Sequence, residues 1–349
     1  MNGNRGPGGP GGEDLSRERL FGMMAGFKAT AALRAAIDLR IFDELDGEAL
    51  DAASVAARLD ADLRGIRLML RALTGLGLLR AQEDGRYALA PGTAELLVTT
   101  SPGYCGGIVK VAAGDVEWRA LGDLADTVRV GGPAPGADAL APGFPFWTDF
   151  AQHTTFVTER VAGLVAEELA GFAADCPELR VLEVGCGHGV TGFELAARHP
   201  RARVWAQDWP EVLEAAREHA GRRGVADRVS YLPGDAFTVP LGGPYDVVVA
   251  ANLLFHFDRA QATRLLERLT GVLAPGGRLV VAGFAPQDGR EREQVQAHLL
   301  GLLLLSTTPG GEPYSPDDYR ELLAAAGLVD VELHTRPGLL PVALTARRP

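Results

Sequence analysis

Leu179-Arg-Val-Leu-Glu-Val-Gly-Cys-Gly-His-Gly189 decides how the rest of this chain is read. Val181, Leu182 and Val184 make a short apolar run, the pattern of a buried strand. The run breaks into Gly185, Gly187 and Gly189, and Phe193, Leu195 and Ala196 then open a helix. Strand, glycine turn, helix is the start of a nucleotide-binding α/β unit, where glycine lets the backbone turn tightly and a ligand approach it. The dinucleotide fingerprint Gly-x-Gly-x-x-Gly, counted from Gly185, needs its third glycine where this chain has Val190. The pattern here is instead Glu183-x-Gly185-x-Gly187-x-Gly189, with an acid in the strand end.

Four further signals follow in order. A strand over 202–207 ends in Asp208, placed to accept both hydroxyls of a ribose. Val229-Ser-Tyr-Leu-Pro-Gly-Asp235-Ala-Phe237, Tyr245-Asp-Val-Val-Val-Ala-Ala-Asn252 and Leu273-Ala-Pro-Gly-Gly-Arg-Leu-Val-Val281 complete the series. Together these five motifs, from residue 179 to the C-terminus, resemble the class I S-adenosylmethionine-dependent methyltransferases. The resemblance implies an α/β fold with a Rossmann-like seven-stranded sheet and S-adenosylmethionine as cofactor. Position by position, it makes Glu183, Gly185, Gly187 and Gly189 the turn around the methionine moiety and Asp208 the ribose acceptor. Trp209 would pack on the adenine, Asp235 accept from its amino group, Phe237 stack on the ring, and Asn252 meet the sulfonium-side amine.

At 349 residues the chain has room for two domains. Hydrophobic residues make 47% and charged residues 23%, the balance of an ordinary globular protein. A net charge of −11 opposes non-specific binding to nucleic acid or anionic membrane. Cys105, Cys176 and Cys186 are widely spaced and odd in number, which excludes a disulfide framework and points to a reducing cytoplasm. The apolar stretch 299–305 falls short of the roughly 20 residues of a membrane span. Residues 1–13, rich in Gly and Pro, read as a disordered tail.

Residues 14–45 repeat apolar positions at helical spacing, with more of them than one buried stripe needs. Two short helices follow, started near Asp51 and capped by Asp62, and then a hairpin around Glu83-Asp84-Gly85. Helix, helix, hairpin is a winged helix-turn-helix, so residues 14–100 raise a rival from another class, a DNA-binding regulator with Arg64, Arg67 and Arg71 on one face of its second helix. Residues 14–100 hold eleven Lys and Arg against thirteen Asp and Glu, so the segment is not basic as a whole. A winged-helix front end before a methyltransferase domain resembles the two-domain O-methyltransferases of plant and bacterial secondary metabolism, from about residue 17 onward. That resemblance implies an N-terminal dimerisation domain, an intertwined homodimer, a small-molecule substrate, and no nucleic-acid or membrane partner. Residues 101–172 are then a helical, substrate-lining connector and 173–349 the catalytic domain.

Methyl transfer from a sulfonium needs an aligned nucleophile and a proton acceptor. In the family resembled, a histidine just past the fourth strand is the general base, and His256 stands there. The family's next two residues are usually Asp-Trp, where this chain has Phe257-Asp258. The acid that orients the histidine falls at Ala282, and a second family acid matches Glu312 in Thr308-Pro-Gly-Gly-Glu-Pro-Tyr314. His256, Glu312 and Asp258 are therefore the candidate catalytic residues. Phe146, Trp147, His153, Phe255, His298 and Leu302 are candidates for lining an aromatic or apolar acceptor. No metal is expected on this reading. The alternative joins His256 to His298 as ligands of a divalent metal, an arrangement resembling C-methyltransferases that act on 2-oxo acids. His188 is expected only to fill space, and His199 and His219 to sit as cations at helix ends.

Overall fold

The computed structural model describes residues 15–349 apart from Asp288 and Arg292; the expected tail over 1–13 lies outside the described residues. The chain divides into two compact units, Met1–Val109 and Lys110–Pro349. The expected connector is therefore divided: residues 101–109 belong to the first unit, where the Cys105 N–H donates to the Leu96 carbonyl.

In the first unit, the helical pattern over 14–45 is two helices. Helix α1 (Arg17–Asp38) starts at Ser16, whose hydroxyl accepts from the Arg19 N–H. It stops where Arg40 turns left-handed (φ 59°, ψ 32°), and α2 (Ile41–Glu44) restarts at a new angle that buries Ile41 and Phe42. Among the residues of α1 only Ala36 is buried, and Leu20, Phe21, Met23, Met24 and Phe27 are 44–62% exposed. By length and composition α1, at 22 residues and mean hydropathy 1.2, is long and apolar enough to cross a membrane. A count of apolar runs misses it, because Lys28, Thr30 and Arg34 interrupt its apolar residues. Helices α3 (Ala52–Arg58) and α4 (Leu63–Gly75) are capped as expected, Asp51 accepting from Ser54 N–H at 2.7 Å and Asp62 from Gly65 N–H at 2.8 Å. Ile66, Leu70 and Leu73 of α4 are buried at i, i+4 and i+7, leaving Arg64, Arg67 and Arg71 exposed. The hairpin pairs β1 (Leu79–Ala81) with β2 (Tyr87–Leu89), and α5 (Thr93–Leu97) follows.

The second unit is reached through a short α6 (Val109–Ala112). Helices α7 (Asp115–Gly122), α8 (Leu124–Val130), α9 (Phe146–His153), α10 (Thr155–Glu168) and α11 (Ala170–Asp175) then precede the sheet. The remaining elements are β3 (Arg180–Val184), α12 (Val190–Arg198), β4 (Arg203–Asp208), α13 (Val212–Arg222), β5 (Val229–Pro233), β6 (Tyr245–Ala251), α14 (Arg259–Gly271), β7 (Leu273–Gly283), α15 (Val295–Thr307), α16 (Pro316–Ala325), β8 (Val329–His334) and β9 (Val342–Arg347). The seven strands lie in the order β5-β4-β3-β6-β7-β9-β8, parallel except for β9, which runs antiparallel to both neighbours.

Strand alternation explains why the central strands read as unbroken apolar runs. Val181, Val247 and Val249 face one side, with α10, α12 and α13; Leu182, Val184, Val248 and Ala250 face the other, with α14 and α16. A sheet covered on both faces leaves few polar positions, and here Glu183 and Gln207 take them at the strand ends. Each of the valine and leucine side chains contributes roughly 1.5–3 kcal/mol by leaving water. The strand order reverses between β3 and β6, so the crevice beyond their carboxyl ends is where an open α/β sheet places its ligand.

Gly189 caps α12 in the left-handed region (φ 71°), and a Cβ there would meet the Phe193 ring at 2.4 Å. Gly189→Ala combines left-handed strain with overpacking of a buried ring, and is expected to destabilise the chain by about 2–4 kcal/mol. Denaturant melts of the variant and the parent check this; coincident curves would contradict it.

Candidate active site

The glycine turn is held from three sides. Glu183, 2% exposed, accepts the Gly192 N–H at 2.8 Å and so ties the end of β3 to the first turn of α12. Asp208 accepts the Gly187 N–H and the Trp209 N–H, each at 2.7 Å. Gln207, 1% exposed, bridges two strand ends: its carbonyl accepts from Gly185 N–H (3.3 Å) and its amide donates to the Gly234 carbonyl (2.5 Å). Gln207 was missed from sequence, where a glutamine inside a strand gives no signal of the partners the sheet brings to it.

Beyond these strand ends lies a cavity of about 270 Å³. It collects Glu183, Gly185, Gly187, Asp208, Trp209, Asp235, Phe237 and Asn252 of the expected cofactor residues; Gly189 shapes the turn from outside its wall. Asp235 accepts the Phe237 N–H at 2.8 Å, and the Phe237 ring is held edge-on by Phe257, centroids 5.0 Å apart. Burial raises the Glu183 carboxyl to about 7 and the Asp208 carboxyl to about 6, against the pull of their backbone N–H donors.

A second cavity of about 150 Å³ is almost wholly apolar. Phe146, Trp147 and Phe255 line it as expected. Leu302 does not: the face of α15 turned to the cavity carries Leu300, Leu303, Leu304 and Thr307, one helical stripe to which Leu302 does not belong. His153 lines neither cavity; its Nε2 is buried without a partner, and burial, reinforced by Lys110, lowers its pKa.

Trp147, Phe150, Ala139, Asn252 and His256 belong to both cavity walls. The imidazole of His256 packs edge-on to Trp147 (centroids 4.9 Å, 85°) and against Phe255 (4.7 Å). Trp147 is itself pinned by its indole N–H to the Ala139 carbonyl at 2.7 Å. The His256 Nδ1 is buried without a hydrogen-bond partner, as is the Asn252 Oδ1. Ala282 offers no carboxylate, only a carbonyl that accepts the Asn252 N–H at 2.7 Å. Burial lowers the imidazole to about 4, the Asn252 backbone working in the other direction.

Two supposed acids are elsewhere. Asp258 is exposed and caps α14 in a capping box with Gln261. Glu312 is exposed and lines neither cavity. Its loop acts through backbone instead: a Cβ on Gly311 would meet the Phe255 carbonyl at 2.7 Å, and the Tyr314 hydroxyl donates to the Phe257 carbonyl at 2.7 Å. The loop thus braces the turn that carries His256. His298 is exposed on α15 and lines neither cavity, and among the described residues no group of three or more His, Cys, Asp and Glu is placed to hold a metal.

His188 does more than fill space. It lines the first cavity, with Nδ1 accepting from the Val190 N–H (3.3 Å) and Nε2 bonded to the Thr158 hydroxyl (3.2 Å). Burial, reinforced by His219, lowers it to about 3. His219 is no helix-end cation: it is buried, its pKa lowered by that burial, and its Nδ1–H donates to the His188 carbonyl at 2.8 Å. His199 is likewise shifted toward the neutral form by burial.

Comparison with known proteins gives these cavities a context. Residues 181–277 match the model of the methyltransferase domain, and residues 21–100 that of the O-methyltransferase dimerisation domain. The acetylserotonin O-methyltransferase of Mus musculus is 31% identical, the match covering 94% of this chain and 88% of that one. The chain belongs to the O-methyltransferase family. It is also similar to the 3-hydroxy-5-methyl-1-naphthoate 3-O-methyltransferase of Streptomyces sahachiroi, at 29% identity over 89% of each. The structure of human N-acetylserotonin methyltransferase in complex with S-adenosylmethionine superimposes with a TM-score of 0.82 at 26% identity, over 97% of this chain and 99% of that one. The enzyme is an S-adenosylmethionine-dependent methyltransferase of the class I fold. The first cavity fits that cofactor: carboxylates for hydroxyls and amine, an aromatic slot, a glycine cradle, and an orphaned Asn252 oxygen.

If the ionised Asp208 carboxylate holds the ribose, protonating it weakens the site. A raised pKa means the neutral form accumulates below about 6. Calorimetric titration should therefore show S-adenosylmethionine affinity falling as pH drops from 8 to 5. Asp208→Asn should weaken binding about tenfold or more at pH 8, the scale of a charge-assisted hydrogen bond, and remove most of the pH dependence. An unchanged pH profile in the variant would assign the titration to Glu183.

Proposed function

We propose that this O-methyltransferase transfers the methyl group to a hydroxyl of a small aromatic metabolite, with His256 accepting the hydroxyl proton. One observation carries the reading: Asn252 and His256, each with a buried polar atom lacking a partner, stand in the wall common to a polar cavity and an apolar, aromatic-lined one. Asp208, Asp235, Trp209 and Phe237 would hold the nucleoside of S-adenosylmethionine, and Glu183, Gly185, Gly187 and Asn252 its methionine end. The bound cofactor supplies an electrophilic methyl group. What remains for the protein is to hold the acceptor ring, exclude water and take up the proton.

His256 is suited to a limited version of that last task. With its pKa lowered to about 4, it is neutral and able to accept at every pH above about 5. The same burial, without an orienting carboxylate, makes it a weak base, so it suits a hydroxyl that is already acidic, such as a phenol. The naphthoate and acetylserotonin named in the relatives' activities are aromatic, in keeping with this choice.

The first unit's partner is read as a second copy of the chain. The dimerisation-domain match over residues 21–100 and the exposed large apolar residues of α1 support a homodimer. Action in the cytoplasm accords with the three free cysteines.

Incubation with S-adenosylmethionine and a set of phenols and hydroxynaphthoic acids should yield S-adenosylhomocysteine and aryl methyl ethers by mass spectrometry. Methylation on carbon or nitrogen alone would overturn the reading. His256→Gln should lower kcat about a hundredfold or more, with cofactor affinity nearly unchanged. At saturating cofactor, the parent's kcat should show no acid limb near pH 6.5, because the lowered pKa moves the protonated form to about pH 4; a limb at 6.5 that vanishes in His256→Gln would contradict the buried-base account.

A further inference from the structure

The second cavity contains a carboxyl group that neither the fold nor the proton transfer explains. Among the residues lining it, the polar side chains are Glu117, Asn252, His256 and Thr307. Thr307 is satisfied, its hydroxyl donating to the Leu303 carbonyl at 2.8 Å. Asn252 and His256 belong to the wall shared with the cofactor cavity; Glu117 lines the acceptor cavity alone. It stands on α7, and α7 packs against α15, which supplies Leu300, Leu303 and Leu304 to the same cavity.

A structural reason for Glu117 is available and falls short. Acidic residues suit the first turn of a helix, and Asp115 and Glu117 both occupy that turn of α7. Asp115 is exposed and pairs with Arg119 at 3.5 Å. Glu117 instead shares the cavity wall with Val111, Val116, Phe144 and Phe146, and among the described residues no hydrogen bond or ion pair reaches its carboxyl. Burial alone raises that carboxyl to about 7. A leucine or glutamine would line the cavity at lower desolvation cost. A carboxyl kept in an apolar pocket repays that cost when a ligand brings its complement.

We propose that Glu117 determines acceptor specificity, its carboxylate taking the protonated amine of a phenolic acceptor whose hydroxyl is turned to the wall of His256 and Asn252. This rests on the hydroxyl-methylation reading above and adds the class of acceptor: an amine-bearing phenol, with the amine on the side away from the reacting oxygen. Glu117 and the His256–Asn252 wall line the same cavity, and the apolar and aromatic side chains that make up the rest of its lining would take the ring. A buried charge rejects partners that leave it unpaired far more strongly than an apolar pocket rejects a change of one methylene. The net charge of −11 favours approach of a cationic acceptor over an anionic one.

The test uses the full chain with S-adenosylhomocysteine bound, three probes of equal length (tyramine, tyrosol and para-propylphenol), and the longer para-hydroxyphenylpropionate as an anionic fourth. Dissociation constants come from ligand-observed NMR on the parent, Glu117→Gln and Glu117→Lys. The parent should bind tyramine at least about tenfold more tightly than para-propylphenol, a difference of about 1.4 kcal/mol, with tyrosol between them. The ratio should fall to about one in Glu117→Gln, and Glu117→Lys should prefer para-hydroxyphenylpropionate to tyramine. Retained binding of S-adenosylhomocysteine shows that each variant is folded. An amine preference that survives in Glu117→Gln, equal binding of tyramine and tyrosol, or no preference in the parent overturns the proposal. Ether formation from S-adenosylmethionine, measured on the same probes, separates the two claims. Ethers without a Glu117-dependent preference leave hydroxyl methylation standing and remove this inference; a Glu117-dependent preference without ethers does the reverse.

Discussion

The backbone of Asn252 leaves β6 in the left-handed region, with φ at 51°. Its N–H is tied across to the Ala282 carbonyl on β7, so the chain cannot continue as a strand and folds at once into the short turn Leu254–His256. Asparagine is one of the few side-chain-bearing residues that enters this conformation without a large penalty. This one turn puts the Asn252 oxygen and the His256 imidazole into the wall between the two cavities. The rest of the unit secures it: Gly311 lies against the backbone of Phe255 and His256, Tyr314 bonds the Phe257 carbonyl, and Asp258 starts α14 just beyond. A reacting group held from all sides in this way needs little reorganisation when the substrates arrive, which is the main contribution a protein makes to a displacement on an already activated methyl group.

The same enclosure sets the electrostatics. Burial moves acids and bases toward their neutral forms, and every functional titratable group with a resolved shift follows that direction: Glu183, Asp208 and Glu117 upward, His188 and His256 downward. The polar cavity thus awaits a ligand that brings positive charge and hydroxyls to its carboxylates. His188, stacked with Phe150 at 6.3 Å and bonded to Thr158, links the glycine turn to α9 and α10, the segment that also supplies aromatic rings to the acceptor cavity.

How much of this was legible in the sequence depended on what kind of interaction fixes each residue. The strand ends and glycine turn are local in sequence, and from them Glu183, Gly185, Gly187, Asp208, Asp235 and Asn252 are expected at one site; all six line the first cavity. Residues whose role comes from packing between distant elements were not. Leu302 was chosen for being apolar, but the rotation of α15 that selects Leu300, Leu303 and Leu304 is set by its neighbours. Asp258 follows His256 in sequence and Glu312 matches an acid of the family resembled, but one is a helix cap, and the other is exposed on a loop whose glycine and tyrosine provide the contact. Glu117 lies in a stretch without motif, and only the folding of α7 onto α15 brings it to the cavity. In the first unit, Asp51, Asp62 and the Gly85 hairpin were readable from their turn chemistry, whereas the break at Arg40 has no glycine or proline to announce it.

The central claim is that one buried wall presents the acceptor oxygen to both the methyl donor and the imidazole. A crystal structure of the ternary complex with S-adenosylhomocysteine and a methylated phenol's parent compound tests it most directly. The account predicts the homocysteine sulfur in the cavity of Asp208 and Asp235, the aromatic ring beside Trp147 and Phe255, and the phenolic oxygen within about 3.2 Å of a His256 ring nitrogen. A phenol bound outside the second cavity, or an imidazole turned away from its oxygen while the enzyme remains active, would contradict it.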